Sequence, residues 1–107
     1  MYSFIETKLF SRLVAGYLSD EEYARLQNAL VRDPEAGSVI PGSGGVRKLR
    51  WGRAGLGKRG GVRVIYYLKC RDGVIWMLTL YAKSEASDIP ASVLRRIKDE
   101  IDDDGQA

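Results

Sequence analysis

Two consecutive runs of β-forming residues place the tightest constraint on the fold of this chain. VRVIYYLK covers 62–69, and VIWMLTLYAK covers 74–83. Both runs are dense in branched and aromatic residues, which favour strands. Only a short segment that contains RDG at 71–73 separates them. A connection of that length and composition predicts that the two strands pair as an antiparallel hairpin.

The residues around this hairpin predict two further strands and three helices. YSFIE at 2–6 and VRKLRW at 46–51 alternate in polarity, so both are predicted to be strands. Thr7 is positioned to cap a first helix, and Ser19 begins a second helix with a capping box. Pro90 suits the first turn of a final helix. The predicted order of elements is β-α-α-β-β-β-α.

The length of the chain, 107 residues, suits one domain, and no internal repeat divides it. We therefore predict a single compact α+β domain over 1–107 that ends in an acidic tail at about 99–107. An antiparallel sheet with the helices packed on one face is the natural architecture for this order of elements.

Successive strand residues point to opposite faces of a sheet, which separates the apolar side chains from the basic ones. In the last strand, strict alternation groups Leu78 with Leu80 and groups Met77 with Tyr81. The apolar sets are predicted to lie under the helices. The polar side chains left on the open face are Lys48, Arg50, Arg63, Tyr81 and Lys83.

Positive charge is concentrated in the middle of the chain. Between Glu35 and Asp72 there are nine basic residues and no acidic residue, whereas five of the 14 acidic residues lie within 99–104. A fold tolerates such repulsion more easily when a polyanion relieves it. Nucleic acid is the partner that this pattern favours. A solvated basic face is the alternative.

The sequence contains no histidine and one cysteine. The usual serine and cysteine triads and histidine-based RNA cleavage are thereby excluded. A zinc site is not expected, and the acidic tail is interpreted as a solvated helix end rather than a Mg²⁺ site. We therefore predict no metal and no cofactor. The single cysteine, with no signal peptide or membrane-spanning run, predicts a cytoplasmic protein.

The glycine-rich segment matches parts of two nucleotide-binding motifs and fails both in context. The GxGxxG pattern at 55–60 requires a following helix, but a strand is predicted there. The GxxxxGK pattern at 52–58 requires serine or threonine next, and this position is Arg59. We interpret the segment as a basic loop that brings Lys58 and Arg59 close to an RNA backbone.

The remaining chemistry is that of cations acting on phosphate. Arginine stays protonated and can bind a phosphate through two donors. Lysine acts as a base only where neighbouring cations and burial lower its pKa. Tyrosine can stack on a base or transfer a proton. For Tyr81 and Lys83 the alternatives are an ordinary strand aromatic and a lysine at a sheet edge.

Four segments, together with their spacing, cover most of 4–97: SDEEYARLQ, PGSGGVRKLRW, GKRGGVRVIYY and LTLYAKSEASDIP. They resemble the RelE/HigB-type toxins of bacterial type II toxin–antitoxin systems, within them the HigB-like branch. The resemblance implies a compact RelE-like fold and a ribosome-dependent mRNA endoribonuclease, or mRNA interferase, that inhibits translation. It also implies a cognate antitoxin, often of the helix-turn-helix type.

The resemblance further implies roles for basic residues of the sheet. Arg63 matches the arginine of the family's YR-hydrophobic-Y strand motif, and Lys83 matches the basic residue that ends the last strand. The cleavage implied is metal-independent, with the RNA 2′-hydroxyl as nucleophile. The candidate catalytic residues are Arg63, Lys83, Lys48 and Tyr81, and the candidate RNA-binding residues are Arg50, Lys58, Arg59 and Arg47. Some relatives use a tyrosine in the final helix, but Tyr81 is the last tyrosine of this chain.

Two other functions remain open at this stage. The first is an RNA- or ribosome-binding module of the same fold that does not cleave. The second is a DNA-binding regulator, which is less favoured because the basic residues lie on predicted strands and the helices begin with acidic residues.

Overall fold

The computed structural model describes residues 2–53, 57–85 and 89–104, with 53, 57–60 and 104 described by their backbone only. The elements in these ranges are β1 (Ser3–Glu6), α1 (Lys8–Tyr17), α2 (Asp20–Arg32), β2 (Ser38–Val39), β3 (Val46–Arg53), β4 (Gly57–Lys69), β5 (Val74–Ala82) and α3 (Ala91–Asp104). The α+β class and the predicted order of elements are confirmed. The two-residue strand β2 is an addition to that order. The Cα radius of gyration is 13.3 Å, as expected for a compact domain.

The sheet has the strand order β1-β5-β4-β3-β2. The predicted hairpin is present, since β4 and β5 pair antiparallel through a turn in which Gly73 has φ 66°. The sheet is mixed rather than wholly antiparallel, because β1 pairs parallel with β5. β1 is far from β5 in sequence, so no short turn between them fixes the direction of β1. Its register is instead fixed by backbone bonds such as Ser3 N–H to the Gly73 carbonyl, at 2.9 Å.

Helices cover both faces of the sheet, which corrects the prediction of one covered face. Helices α1 and α2 pack through Phe10, Leu26 and Leu30 on one face, called the α1–α2 face below. Helix α3 packs through Leu94 and Ile101 on the opposite face, called the α3 face. The α3 face needs this cover because it has its own apolar side chains, which include Val46, Ile65, Tyr67, Trp76 and Leu78.

A β-bulge in β5 changes which side chains face α3. In β4, Ile65 pairs with Thr79 and the next residue, Tyr66, pairs with Met77. Leu78 is therefore the extra residue of β5. Met77 and Leu80 therefore contribute to the core of the α1–α2 face, whereas Leu78 contributes to that of the α3 face. The predicted grouping of Leu78 with Leu80, and of Met77 with Tyr81, is wrong because strict alternation does not hold across a bulge.

Thr7 connects this bulge to the first helix. As predicted, it caps α1, since its hydroxyl accepts a hydrogen bond from the Phe10 N–H at 3.0 Å. The same hydroxyl donates to the Leu78 carbonyl at 2.7 Å. The Thr7 backbone N–H donates to the Met77 carbonyl at 3.0 Å. One residue therefore begins α1 and holds the main chain of β5 at its bulge.

Thr7→Val should lower the free energy of unfolding by about 1–2 kcal/mol, because it removes the cap and the bond to the bulge while keeping the shape of the side chain. Thr7→Ser keeps the hydroxyl and should lose less. Urea unfolding followed by circular dichroism measures both. A valine variant as stable as the wild type would contradict this role for the hydroxyl.

The start of α2 is also as predicted. Ser19 Oγ accepts from the Glu22 N–H at 3.1 Å, and a Glu22 carboxylate oxygen accepts from the Ser19 N–H at 2.9 Å, which completes a capping box. Across the ranges that the structure covers, no helix has the length and apolar character required to span a membrane.

Tyr66 fixes the segment that follows α2. Its ring is fully buried in the core of the α1–α2 face. Its hydroxyl accepts from the Gly37 N–H at 2.9 Å and donates to the Pro34 carbonyl at 2.7 Å. The connection that leads into β2 is therefore held directly against β4.

Candidate nucleic-acid interface

Three side chains form a row across the α3 face of the sheet. Arg50 of β3 is the cross-strand partner of Arg63 in β4, and Arg63 is the partner of Tyr81 in β5. The Cβ atoms of directly opposed residues lie about 4.5–5.5 Å apart. Lys48 precedes Arg50 by two residues on the same face and pairs with Ile65. We call Lys48, Arg50, Arg63 and Tyr81 the Arg63 cluster.

The centre of the cluster is enclosed, while its rim is open to solvent. Arg63 and Tyr81 are each 8% exposed, whereas Arg50 is exposed. Two opposed guanidinium groups repel each other, and a buried cation is costly unless it is paired. Among the described residues, no carboxylate forms an ion pair with Arg63. The cluster is therefore suited to an anion that would reduce both costs.

A cavity of about 60 Å³ shares two residues with the cluster. Lys48 and Tyr81 supply its polar groups, and its remaining walls are Ile40, Ile65, Ile89 and Leu94. Leu94 belongs to the first part of α3, so the N-terminal end of that helix lies at the cavity. The peptide dipoles at this end add positive potential.

An open groove of about 460 Å³ continues along the edge of β3. Its lining includes Lys48 and Arg50, together with Ala36, Ser38 and Leu49. Lys48 thus lines both the groove and the cavity. An extended strand of nucleic acid that followed this groove would meet two cations before it reached Arg63.

Other predicted site residues lie outside the cluster. Lys83 is exposed in a turn that follows β5. Arg47 lies on the opposite side of β3, where its guanidinium donates to the Gly37 carbonyl at 2.7 Å and forms an ion pair with Glu35 at 3.8 Å. Its role in the structure is to hold the segment before β2. Lys58 and Arg59 belong to β4 by their backbone, and their side chains lie outside the described part of the structure.

The apolar walls of the cavity were not predictable from the sequence. Ile40, Ile65 and Leu94 come from the loop before β3, from β4 and from α3, so they share no sequence motif. Packing alone brings them together beside the cluster. The placement of Lys48, Arg50, Arg63 and Tyr81 on one face is, in contrast, confirmed by the strand register.

The last turns of α3 are docked on the sheet, so the acidic end of the chain is more than a solvated helix end. The Tyr67 hydroxyl donates to the Asp102 carboxylate at 3.0 Å, and Lys98 forms an ion pair with it at 3.0 Å. Lys69 Nζ donates to the Ile101 carbonyl at 3.4 Å. In the described part of the chain, no group of three or more His, Cys, Asp or Glu residues could hold a metal ion.

These contacts change the pKa values of both partners. Burial and the bond to Asp102 raise the pKa of Tyr67 from 10.0 to about 12. Burial alone would raise the pKa of Asp102, but hydrogen bonds from Lys98 and Tyr67 outweigh it and lower that pKa below 3.8. The contact is therefore most favourable when the phenol is protonated and the carboxylate is charged.

The stability of the protein should fall above pH 10, and Tyr67→Phe should reduce this fall. Because the pKa of Tyr67 rises from 10.0 to about 12 on folding, the folded protein keeps a proton that the unfolded chain loses between these values. The free energy of unfolding therefore decreases as the pH rises through this window. Burial also raises the pKa of Tyr23 and of Tyr66. The wild type and the Tyr67→Phe variant both retain these two tyrosines, so the variant should lose only part of the dependence on pH.

Urea unfolding of the wild type and the Tyr67→Phe variant, measured from about pH 9 to about pH 11, tests this difference. Parallel dependence on pH in the two proteins would contradict it.

Chemically, the cluster can bind a phosphodiester and stabilise negative charge that develops on it, because two arginines lie side by side on adjacent strands. Tyr81 adds a ring that can contact a base and a hydroxyl that can transfer a proton. A comparison of the sequence with protein-family models finds no match.

Proposed function

We propose that this protein is a ribosome-dependent mRNA endoribonuclease that inhibits translation. The observation that carries this proposal is the Arg63 cluster, in which the buried Arg63 is the cross-strand partner of Arg50 and no carboxylate among the described residues forms an ion pair with it. The likeness of the sequence to RelE/HigB-type toxins adds three elements to the proposal. These are a cytoplasmic site of action on the ribosome, a cognate antitoxin of the helix-turn-helix type, and a RelE-like fold.

In the proposed reaction, the RNA 2′-hydroxyl attacks the adjacent phosphorus while the bond to the 5′-oxygen of the next nucleotide breaks. The products are a 2′,3′-cyclic phosphate and a 5′-hydroxyl. The proton of the 2′-hydroxyl goes to a base, and an acid protonates the leaving oxygen. No metal ion takes part.

Each residue of the cluster has a proposed task. Arg63 stabilises the extra negative charge at phosphorus, since a fixed guanidinium is most effective where charge develops. Arg50 holds the neighbouring phosphate in the groove. Lys48 and Tyr81 move protons, and Lys83 binds RNA at the end of β5. Lys58 and Arg59 extend this contact along the chain.

Mapping of RNA ends after induced expression in bacteria tests the proposal. A translated reporter mRNA should show new 5′ ends at defined codon positions by primer extension. The same mRNA without a start codon should show none, because cleavage requires the ribosome. Co-sedimentation with ribosomes but no new ends would support the non-catalytic RNA- or ribosome-binding module instead.

A further inference from the structure

We propose that the cavity beside the Arg63 cluster binds one nucleobase of single-stranded RNA, adjacent to the phosphate held by Arg63. This inference rests on the proposed function and adds a base-binding subsite to it. A base in this position would fix the sugar that joins it to the phosphate. The cavity would therefore orient the RNA as well as increase its affinity.

The chemistry of the walls fits a nucleobase. Four aliphatic side chains line the cavity, and Lys48 and Tyr81 supply an ammonium group and a phenol. A base has apolar faces and polar edges, so it needs apolar walls and a few hydrogen-bonding groups at one side. Base-binding sites of this kind commonly include an aromatic side chain, which is Tyr81 in this cavity.

The size of the cavity allows a base to enter by one edge. Its volume is about 60 Å³. This is less than the roughly 150 Å³ of an apolar cavity that encloses benzene, so the rest of the base would stay outside the cavity.

The cavity lies next to the proposed phosphate site at Arg63. Tyr81 is the cross-strand partner of Arg63, and Lys48 lines the groove as well as the cavity. A nucleotide whose phosphate lies at Arg63 thus has an apolar cavity within the same cluster.

A fluorescent 2′-O-methyl RNA hexamer, which lacks the attacking hydroxyl, provides a probe that cannot be cleaved. Its affinity is measured by anisotropy at constant salt, with versions that are abasic at one position each. For the wild type we expect one abasic position to weaken binding about 10-fold, within the range that one stacked base contributes. The other positions should show smaller effects.

Ile89→Trp fills the cavity from the half-buried segment before α3. This variant should bind the complete hexamer about 10-fold more weakly than the wild type does, by the same estimate. The abasic position that weakens binding by the wild type should then cause no further loss of affinity in this variant. Val93→Trp is the matched control, because Val93 is exposed on α3 and does not line the cavity. Ile40→Trp fills the cavity from another wall and should repeat the effect if Ile89→Trp fails to fold.

The outcomes separate this inference from the proposed function. If no abasic position weakens binding by the wild type, or if the filled variants still respond as the wild type does, the base site is overturned. The proposed function stands in that case as long as Arg63→Ala weakens binding. A wild-type protein that does not bind the hexamer, or whose binding is insensitive to Arg63→Ala, overturns the base site, whereas the absence of new codon-linked ends in the primer-extension experiment overturns the proposed function.

Discussion

Replacing Arg63 with methionine should strongly reduce the proposed RNA cleavage and, at the same time, stabilise the protein. Cleavage should fall by about 10²- to 10³-fold, the loss that follows from removing one group that stabilises developing charge. The free energy of unfolding should rise by about 1 kcal/mol, because replacing buried ionic groups with apolar ones is often neutral or stabilising. Methionine retains the length of the side chain and adapts to irregular surroundings.

The position of Arg63 explains why the substitution should lower activity and raise stability. The side chain is 8% exposed and lies opposite a second arginine, Arg50. Directly opposed like charges destabilise a sheet. The folded protein without RNA therefore bears a cost at Arg63 that binding of a phosphate would reduce. A residue kept for stability alone would show the reverse behaviour.

Arg47→Met is a matched control from the same sheet. Its guanidinium donates to two backbone carbonyls, of Gly37 at 2.7 Å and of Glu35 at 3.3 Å, on the other side of β3. This variant should lose about 1–2 kcal/mol of stability and retain cleavage. Primer extension and urea unfolding measure the two properties. If Arg63→Met cleaves as well as the wild type does, Arg63 is not the catalytic arginine.

Gly37→Ala should destabilise the protein by about 3 kcal/mol, a cost typical of overpacking combined with a lost hydrogen bond. A Cβ at Gly37 would lie 2.8 Å from Tyr66 Cε1, 3.0 Å from Tyr66 Oη and 3.1 Å from the backbone carbon of Lys48. Neither the buried ring nor the strand can move away without disrupting the core. The hydrogen bond from Gly37 N–H to Tyr66 Oη would be strained as well.

Gly16→Ala is the control for a glycine-to-alanine change without a clash. Gly16 lies in α1, and no atom lies within 4 Å of the Cβ that would be added. This variant should be more stable than the wild type by about 0.5–1 kcal/mol, because alanine favours helices. Thermal and urea unfolding compare the three proteins. A Gly37→Ala variant with wild-type stability would show that the segment before β2 is not held tightly by Tyr66.

Local signals were sufficient for much of the fold. The hairpin of β4 and β5, the cap at Thr7 and the capping box at Ser19 follow from short segments, and the structure contains all of them. The direction of β1 did not follow, because its partner β5 is distant in sequence. The position of α3 did not follow either, since it depends on which apolar strand residues remain uncovered by α1 and α2.

The candidate site was predicted in part, for a related reason. Alternation along β3 and β4 correctly placed Lys48, Arg50 and Arg63 on one face. The bulge in β5 is bonded to Thr7, a residue outside the strand, and the alternation within β5 carries no sign of it. The cavity depends on residues from β3, β4, β5, α3 and the segments before β3 and α3. Properties that arise from one element were thus predictable, whereas those that arise from the meeting of several elements were not.

The extra residue in β5 determines how insertions and deletions would affect this protein. With regular pairing from the turn onward, Leu80 would face Arg63, and Tyr81 would point toward α1 and α2. A protein that lacked Leu78 would pair Thr79 with Ile65 without a bulge, and Tyr81 would still face Arg63. The length of this strand can therefore differ by one residue between proteins that share the same row of side chains. In an alignment of such proteins, a one-residue gap at Leu78 would leave the site intact, whereas a gap at Tyr81 would remove part of it.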